Sequence, residues 1–137
     1  MSLYLDASVL VALFVEEPST AQAQARLVGE TLLISDFAAA EFSAAIARRV
    51  RIGDMPASQA PITFQAFDSW VARATSRVVQ DVSDTPNADI LLRRLDLGLR
   101  APDALHIAIA RRLGATLFTF DLRMAHAART LGLSILP

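Results

Sequence analysis

The chain has 137 residues, 53% of them apolar, and a formal net charge of −1. That length suits a single domain over residues 1–137, with enough apolar material for a core and too much for a disordered chain. The absence of cysteine excludes disulfides, thiolate metal sites and a cysteine nucleophile together, and the near-neutral charge excludes a polybasic platform for nucleic acid.

The opening residues, Met1 to Ser19, are apolar but lack a basic lead and carry Asp6, so they read as strand then helix rather than as a signal peptide. No run approaches membrane-spanning length, and a cytoplasmic protein is expected. A strand at Leu3–Leu5 leads into a helix from Ser8 to Val15, stopped by Pro18, and a second helix runs from Ser19 to Val28. Strand Thr31–Ile34 follows, then Ser35 as N-cap of a helix Phe37–Ile52 closed by Gly53. The next helix takes Ser58 as N-cap, tolerates Pro61 in its first turn, and runs to Arg73. Strand Arg77–Val79, helix Pro86–Leu95, a break at Gly98 and a helix from Pro102 to Gly114 come next. Strand Thr116–Phe120, helix Leu122–Leu131 and strand Ser134–Leu136 complete the chain. Strands alternating with helices predict an α/β fold: a single three-layer α/β/α domain with a central, mostly parallel five-stranded sheet.

In such sheets function gathers at the carboxyl ends of the strands, near the point where strand order reverses. Asp6 ends the first strand and Asp121 follows the fourth. Asp103 lies in the first turn of the helix leading into that fourth strand, and Glu41 lies a turn and a half into the helix after the second. All four acids are therefore expected at one edge. Asp6, Asp103 and Asp121 could each be helix caps, the commoner role for a single aspartate there. Glu41 resists that reading. Its neighbours at helical spacing are Phe37, Ala38, Ala44 and Ala45, whereas an exposed helix glutamate usually finds a cation there. A partly buried carboxylate with a distant partner is expected.

Two carboxylates about 4 Å apart repel by roughly 4 kcal/mol at an effective dielectric near 20, so a cluster of them calls for a cation. Hard oxygen donors without a His or Cys cluster fit Mg²⁺ or Mn²⁺ rather than zinc. Ser8 and Thr119 can support the acids through their hydroxyls, or simply start a helix and end a strand. His106, three residues after Asp103 on an apolar helix, reads as a satisfied near-core histidine, and His126 carries no signal. Every basic residue is arginine. The Arg48–Arg51, Arg93–Arg94 and Arg111–Arg112 groups fall at helix ends, where cations complement the dipole.

Four segments carry a resemblance: Leu5-Asp6-Ala7-Ser8, Ala40-Glu41-Phe42, the run Leu99 to Ala108 containing Arg100-Ala101-Pro102-Asp103, and Thr119-Phe120-Asp121. Across essentially its whole length the chain resembles the PIN domain, and within it the VapC-type ribonuclease toxins of toxin–antitoxin pairs. The resemblance implies an Mg²⁺- or Mn²⁺-dependent endoribonuclease with Asp6, Glu41, Asp103 and Asp121 as catalytic, metal-holding acids and Ser8 and Thr119 as supporting hydroxyls. It also implies RNA as substrate, a homodimer and a VapB-like antitoxin that offers an arginine to the acidic pocket; the lack of any membrane-spanning run separately predicts no membrane association. A phospho-receiver domain and a haloacid-dehalogenase-like phosphatase share the fold class. Both need a lysine that this chain lacks, and the second also needs Asp-x-Asp where Asp6-Ala7-Ser8 stands. The competing function is a catalytically silent PIN-fold module that binds a partner without cutting RNA.

Overall fold

A computed structural model describes residues 1–136 of the chain. Its elements are β1 (Ser2–Leu5), α1 (Ala7–Phe14), α2 (Thr20–Leu27), β2 (Thr31–Ser35), α3 (Asp36–Arg51), α4 (Ala60–Ala74), β3 (Thr75–Val78), α5 (Asp84–Leu92), α6 (Ala101–Leu113), β4 (Thr116–Phe118), α7 (Leu122–Thr130) and β5 (Ile135–Leu136), with one 3₁₀ turn at Leu95–Leu97. The strands form a single sheet in the order β3-β2-β1-β4-β5, and every pairing is parallel. Strand β1 is central. From it the chain winds outward through β2 and β3, then returns to build β4 and β5 on the other side. The reversal therefore falls between β1 and β4, and their carboxyl ends open a crevice there.

Alternation along each strand divides the core. Leu3 and Leu5 of β1, Leu32 and Ile34 of β2 and Phe118 of β4 pack with Val9, Leu10, Phe42, Ile46 and Phe67. Tyr4 and Leu117 point the other way and pack with Ala104, Ile107, Met124 and Ala127. Helices α1, α3 and α4 thus cover one face and α5, α6 and α7 the other. The first layer is locked by aromatic rings: Phe42 stacks on Phe67 at 4.1 Å between centroids, and Phe14 sets its edge against Phe42, Phe67 and Trp70. Of these rings Phe42 and Phe67 are buried and Phe14 and Trp70 half-buried; full burial of a phenylalanine is worth about 1.5–3 kcal/mol.

Several boundaries differ from the sequence-based expectation. Helix α4 takes Gln59 rather than Ser58 as its cap, with Pro61 in the first turn as expected. Strand β3 begins at Thr75, two residues early, because α4 runs into it without a loop. The Thr75 backbone N–H and hydroxyl both return to the Val71 carbonyl, the latter at 3.0 Å. Helix α5 starts at Asp84 instead of Pro86, since Asp84 is drawn inward by Arg112, and it stops at Leu92 before the 3₁₀ turn. Strand β4 ends at Phe118 because the Thr119 hydroxyl and the Phe120 N–H turn to Asp6 and Ser8.

Helix α6 ends at Gly114, whose φ is +61°, with the Ala115 N–H returning to Ala110 O at 3.1 Å. A methyl group at Gly114 would meet no atom within 4 Å, so Gly114→Ala should lose only the left-handed backbone preference, about 1–2 kcal/mol. A lower urea midpoint at unchanged slope would show this; an unchanged midpoint would refute it.

Candidate active site

The crevice is built by side chains that join the ends of β1 and β4. Asp6 leaves β1 in extended conformation and becomes the N-cap of α1, where Oδ1 accepts from Val9 N–H at 3.2 Å and from the Ser8 hydroxyl at 2.7 Å. Its Oδ2 accepts from the Thr119 hydroxyl at 2.7 Å, across 113 residues of sequence. Thr119 in turn accepts from Asp121 N–H at 2.9 Å, and Ser8 accepts from Phe120 N–H at 2.9 Å. The two hydroxyls are thus cross-links between the strand ends as well as partners of Asp6.

Asp121 caps α7, its Oδ1 accepting from Met124 N–H at 3.0 Å. Asp103, third residue of α6, accepts from Arg100 N–H through Oδ2 at 3.2 Å. Three acids therefore do cap helices, as their positions allow. Capping leaves capacity over. Among the described residues no donor reaches Asp103 Oδ1, Asp121 Oδ2 or Glu41 Oε2, and Asp6 Oδ2 receives one bond of the two it can accept.

Glu41 has the distant partner its surroundings call for: its Oε1 meets Nε2 of His106 on α6. His106 is 1% exposed, with Nδ1 hydrogen-bonded to the Tyr4 hydroxyl at 2.8 Å. Tyr4 meets the Ser35 hydroxyl at 2.8 Å, and Ser35 caps α3 by accepting from Ala38 N–H at 3.0 Å. The histidine is near-core and satisfied, as its helix implies, but half of its satisfaction comes from a candidate site acid. Sequence reasoning passes over Tyr4. The available signal is a tyrosine inside an apolar strand, whose buried hydroxyl needs a partner.

The electrostatics are those of an acidic crevice. Burial pushes the Asp6 carboxyl above the ordinary range, opposed by the hydrogen bonds from Thr119 and Ser8 and by nearby His106. Burial also raises Asp103, opposed by the Arg100 N–H, while the Asp121 charge pushes it further up. Asp103 and Asp121 share a cleft of about 330 Å³ with Leu122 and two exposed arginines, Arg100 and Arg123. Neither arginine is engaged in an ion pair among the described residues. Asp6 and Glu41 do not line that cleft, and among the described residues no three His, Asp or Glu side chains lie close enough to hold a metal ion as they stand. The donor chemistry nevertheless suits a hard divalent cation. Every candidate ligand is a carboxylate oxygen with unused capacity, and two of the four carboxylates are penalised for being charged without one.

The chain is a parallel α/β fold in which Asp6, Asp103 and Asp121 stand at helix starts on the carboxyl-end edge of the sheet. Residues 3–130 match the family model for the PIN domain, and the chain belongs to that family. No curated protein matches it. Among solved structures it is similar to VapBC2 from Rickettsia felis bound to a DNA fragment from their promoter, at 16% identity and TM-score 0.73, covering 99% of this chain and 98% of that one. It is similar too to FitAcB from Neisseria gonorrhoeae, at 14% identity and TM-score 0.77, covering 98% and 96%. A third similar structure is VapC20 from Mycobacterium tuberculosis, described as a sarcin–ricin loop cleaving toxin, at 17% identity and TM-score 0.73, covering 91% and 94%. At these identities the likeness is one of fold. No helix among the described residues is long and apolar enough to cross a membrane.

Proposed function

We propose that the chain is the toxin of a toxin–antitoxin pair, a cytoplasmic Mg²⁺- or Mn²⁺-dependent endoribonuclease that works as a homodimer and is held in check by a VapB-like antitoxin. Membership of the PIN domain family and the likeness to VapBC2 and VapC20 support the class. The observation that carries the site is the pair of buried carboxylates, Asp6 and Asp103, at the sheet's switch point, both raised above their ordinary range and both with oxygen capacity to spare. Asp6, Glu41, Asp103 and Asp121 would hold the metal. When bound, the ion supplies charge neutralisation and water activation for in-line hydrolysis of a phosphodiester.

The chain's own groups do the rest. Ser8 and Thr119 hold both oxygens of Asp6 and fix its plane. The Arg100 N–H holds one oxygen of Asp103 and leaves the other free. Among the described residues Arg100 and Arg123 are the cationic groups lining the Asp103–Asp121 cleft, and they would grip RNA phosphates beside the cut.

The silent binding module draws on one observation, that the acids lie too far apart to close on a metal without side-chain movement. One experiment decides between the two readings. Purified protein freed of any partner should cut structured RNA with Mg²⁺ or Mn²⁺ and lose that activity in EDTA. Cutting that survives EDTA would overturn the metal mechanism. No cutting of total RNA under any divalent ion, with binding to an antitoxin intact, would favour the module.

A further inference from the structure

Four buried or half-buried groups from four elements form one line: Ser35 at the end of β2, Tyr4 on β1, His106 on α6 and Glu41 on α3. Hydrogen-bond accounting gives that line a direction. Ser35 is fully buried and its oxygen already accepts from Ala38 N–H. Its own hydroxyl proton needs an acceptor, and the only one within reach among the described residues is the Tyr4 oxygen. Tyr4 then accepts from Ser35 and must spend its single proton on its other partner, Nδ1 of His106. Burial keeps that phenolic proton in place by pushing the Tyr4 hydroxyl further up from an already high value. A histidine that accepts at Nδ1 carries its proton on Nε2, which faces Glu41. Reversing the line would strand the Ser35 proton in a dry core, at a cost of about 1–3 kcal/mol.

From this chain of donors we infer that His106 is a positioning residue: the Ser35–Tyr4 relay fixes it as the Nε2–H tautomer, and it holds Oε1 of Glu41 as an acceptor while Oε2 stays available for a divalent cation. The inference rests on the reading of Glu41 as a metal-holding acid, but its first part, the tautomer, does not. The arrangement is that of an outer partner orienting a metal-holding carboxylate, a role whose loss typically costs about 10- to 100-fold in metal affinity.

The test uses the ¹⁵N-labelled, EDTA-treated full chain. Of the two histidines, exposed His126 serves as an internal reference. His106 should show a protonated nitrogen at Nε2 and an unprotonated one at Nδ1, and Tyr4→Phe should erode that preference. A protonated Nδ1, or a pattern indifferent to Tyr4→Phe, overturns the relay. Titration with Mn²⁺ alone should then show His106→Leu binding about 10- to 100-fold more weakly, with His106→Gln, whose amide can donate where Nε2–H did, restoring most of the affinity. Equal affinity in wild type and His106→Leu overturns the positioning role. Wild-type protein that binds no Mn²⁺ overturns the metal reading of the acids, and the tautomer still decides the relay.

Discussion

Asp6→Asn and Asp103→Asn are each expected to lower RNA cleavage on the order of 10³-fold while leaving the metal-free protein as stable as wild type or more so. On the proposed mechanism the loss in rate follows from removing a fixed charge beside the metal, where even one preorganised group is worth about 10²–10³-fold. The gain in stability follows from the carboxyls themselves. Both are raised in the folded chain, chiefly by burial. A carboxyl raised on folding contributes stability that is fully present below its unfolded value and disappears as pH climbs through the raised value. Neutral pH is therefore the penalised side, and asparagine, which carries no charge to desolvate, escapes the penalty. Asparagine also keeps one oxygen for the Val9 or Arg100 N–H. The measurements are cleavage rates with Mg²⁺ and melting temperatures in EDTA at pH 7. A variant that still cuts at more than about a tenth of the wild-type rate would remove that acid from the site. A collapse in melting temperature would mean that capping, not charge, dominates at that position.

The second large effect lies away from the crevice. Asp84 is fully buried, and Arg112 reaches it through Nε at 2.7 Å and Nη2 at 2.8 Å. The same Nη2 donates to Val79 O at 3.2 Å, and Asp84 Oδ2 also accepts from Asp81 N–H at 2.8 Å. One ion pair thus pins the turn between β3 and α5 against α6. Arg112→Met leaves a buried, unpaired carboxylate and should cost about 3–5 kcal/mol, roughly 10–20 °C in melting temperature for a chain of this size. Adding Asp84→Asn, which removes the stranded charge and keeps the acceptor for Asp81 N–H, should recover more than half of the loss. A single variant within about 1 kcal/mol of wild type would place this pair with ordinary surface ion pairs.

The strand–helix alternation made the sheet legible, because period-two and helical patterns are local and each segment carries its own signal. The placement of Asp6, Asp103 and Asp121 at one edge followed from the same pattern, since helices joining parallel strands must start where strands end. Glu41 was legible as an anomaly, a carboxylate among alanines. Its partner was not, because His106 is 65 residues away and sits among Leu, Ile and Ala that explain it as core. Nor could Tyr4 and Ser35 be tied to it: each has a sufficient local reading, one as strand, one as helix cap. Spacing between acids is the remaining gap. Sequence places carboxylates on a rim, but whether three close on one ion depends on side-chain rotation that no periodicity encodes.

The link between Thr119 and Asp6 has a consequence for how the protein is made. Strand β1 is made before the other strands, yet one of its two sheet neighbours, β4, and the residue that caps α7 come more than a hundred positions later. At about 5–20 residues per second of synthesis, Asp6 waits about 6–23 seconds for Thr119 and Asp121. Throughout that interval the growing polypeptide has half a crevice, with Asp6 lacking the hydroxyl that holds its second oxygen. If the chain cuts RNA as proposed, it would lack a complete site while still beside the ribosome and message producing it. On the function proposed above, competence would arrive only as the last parallel strands close on the first.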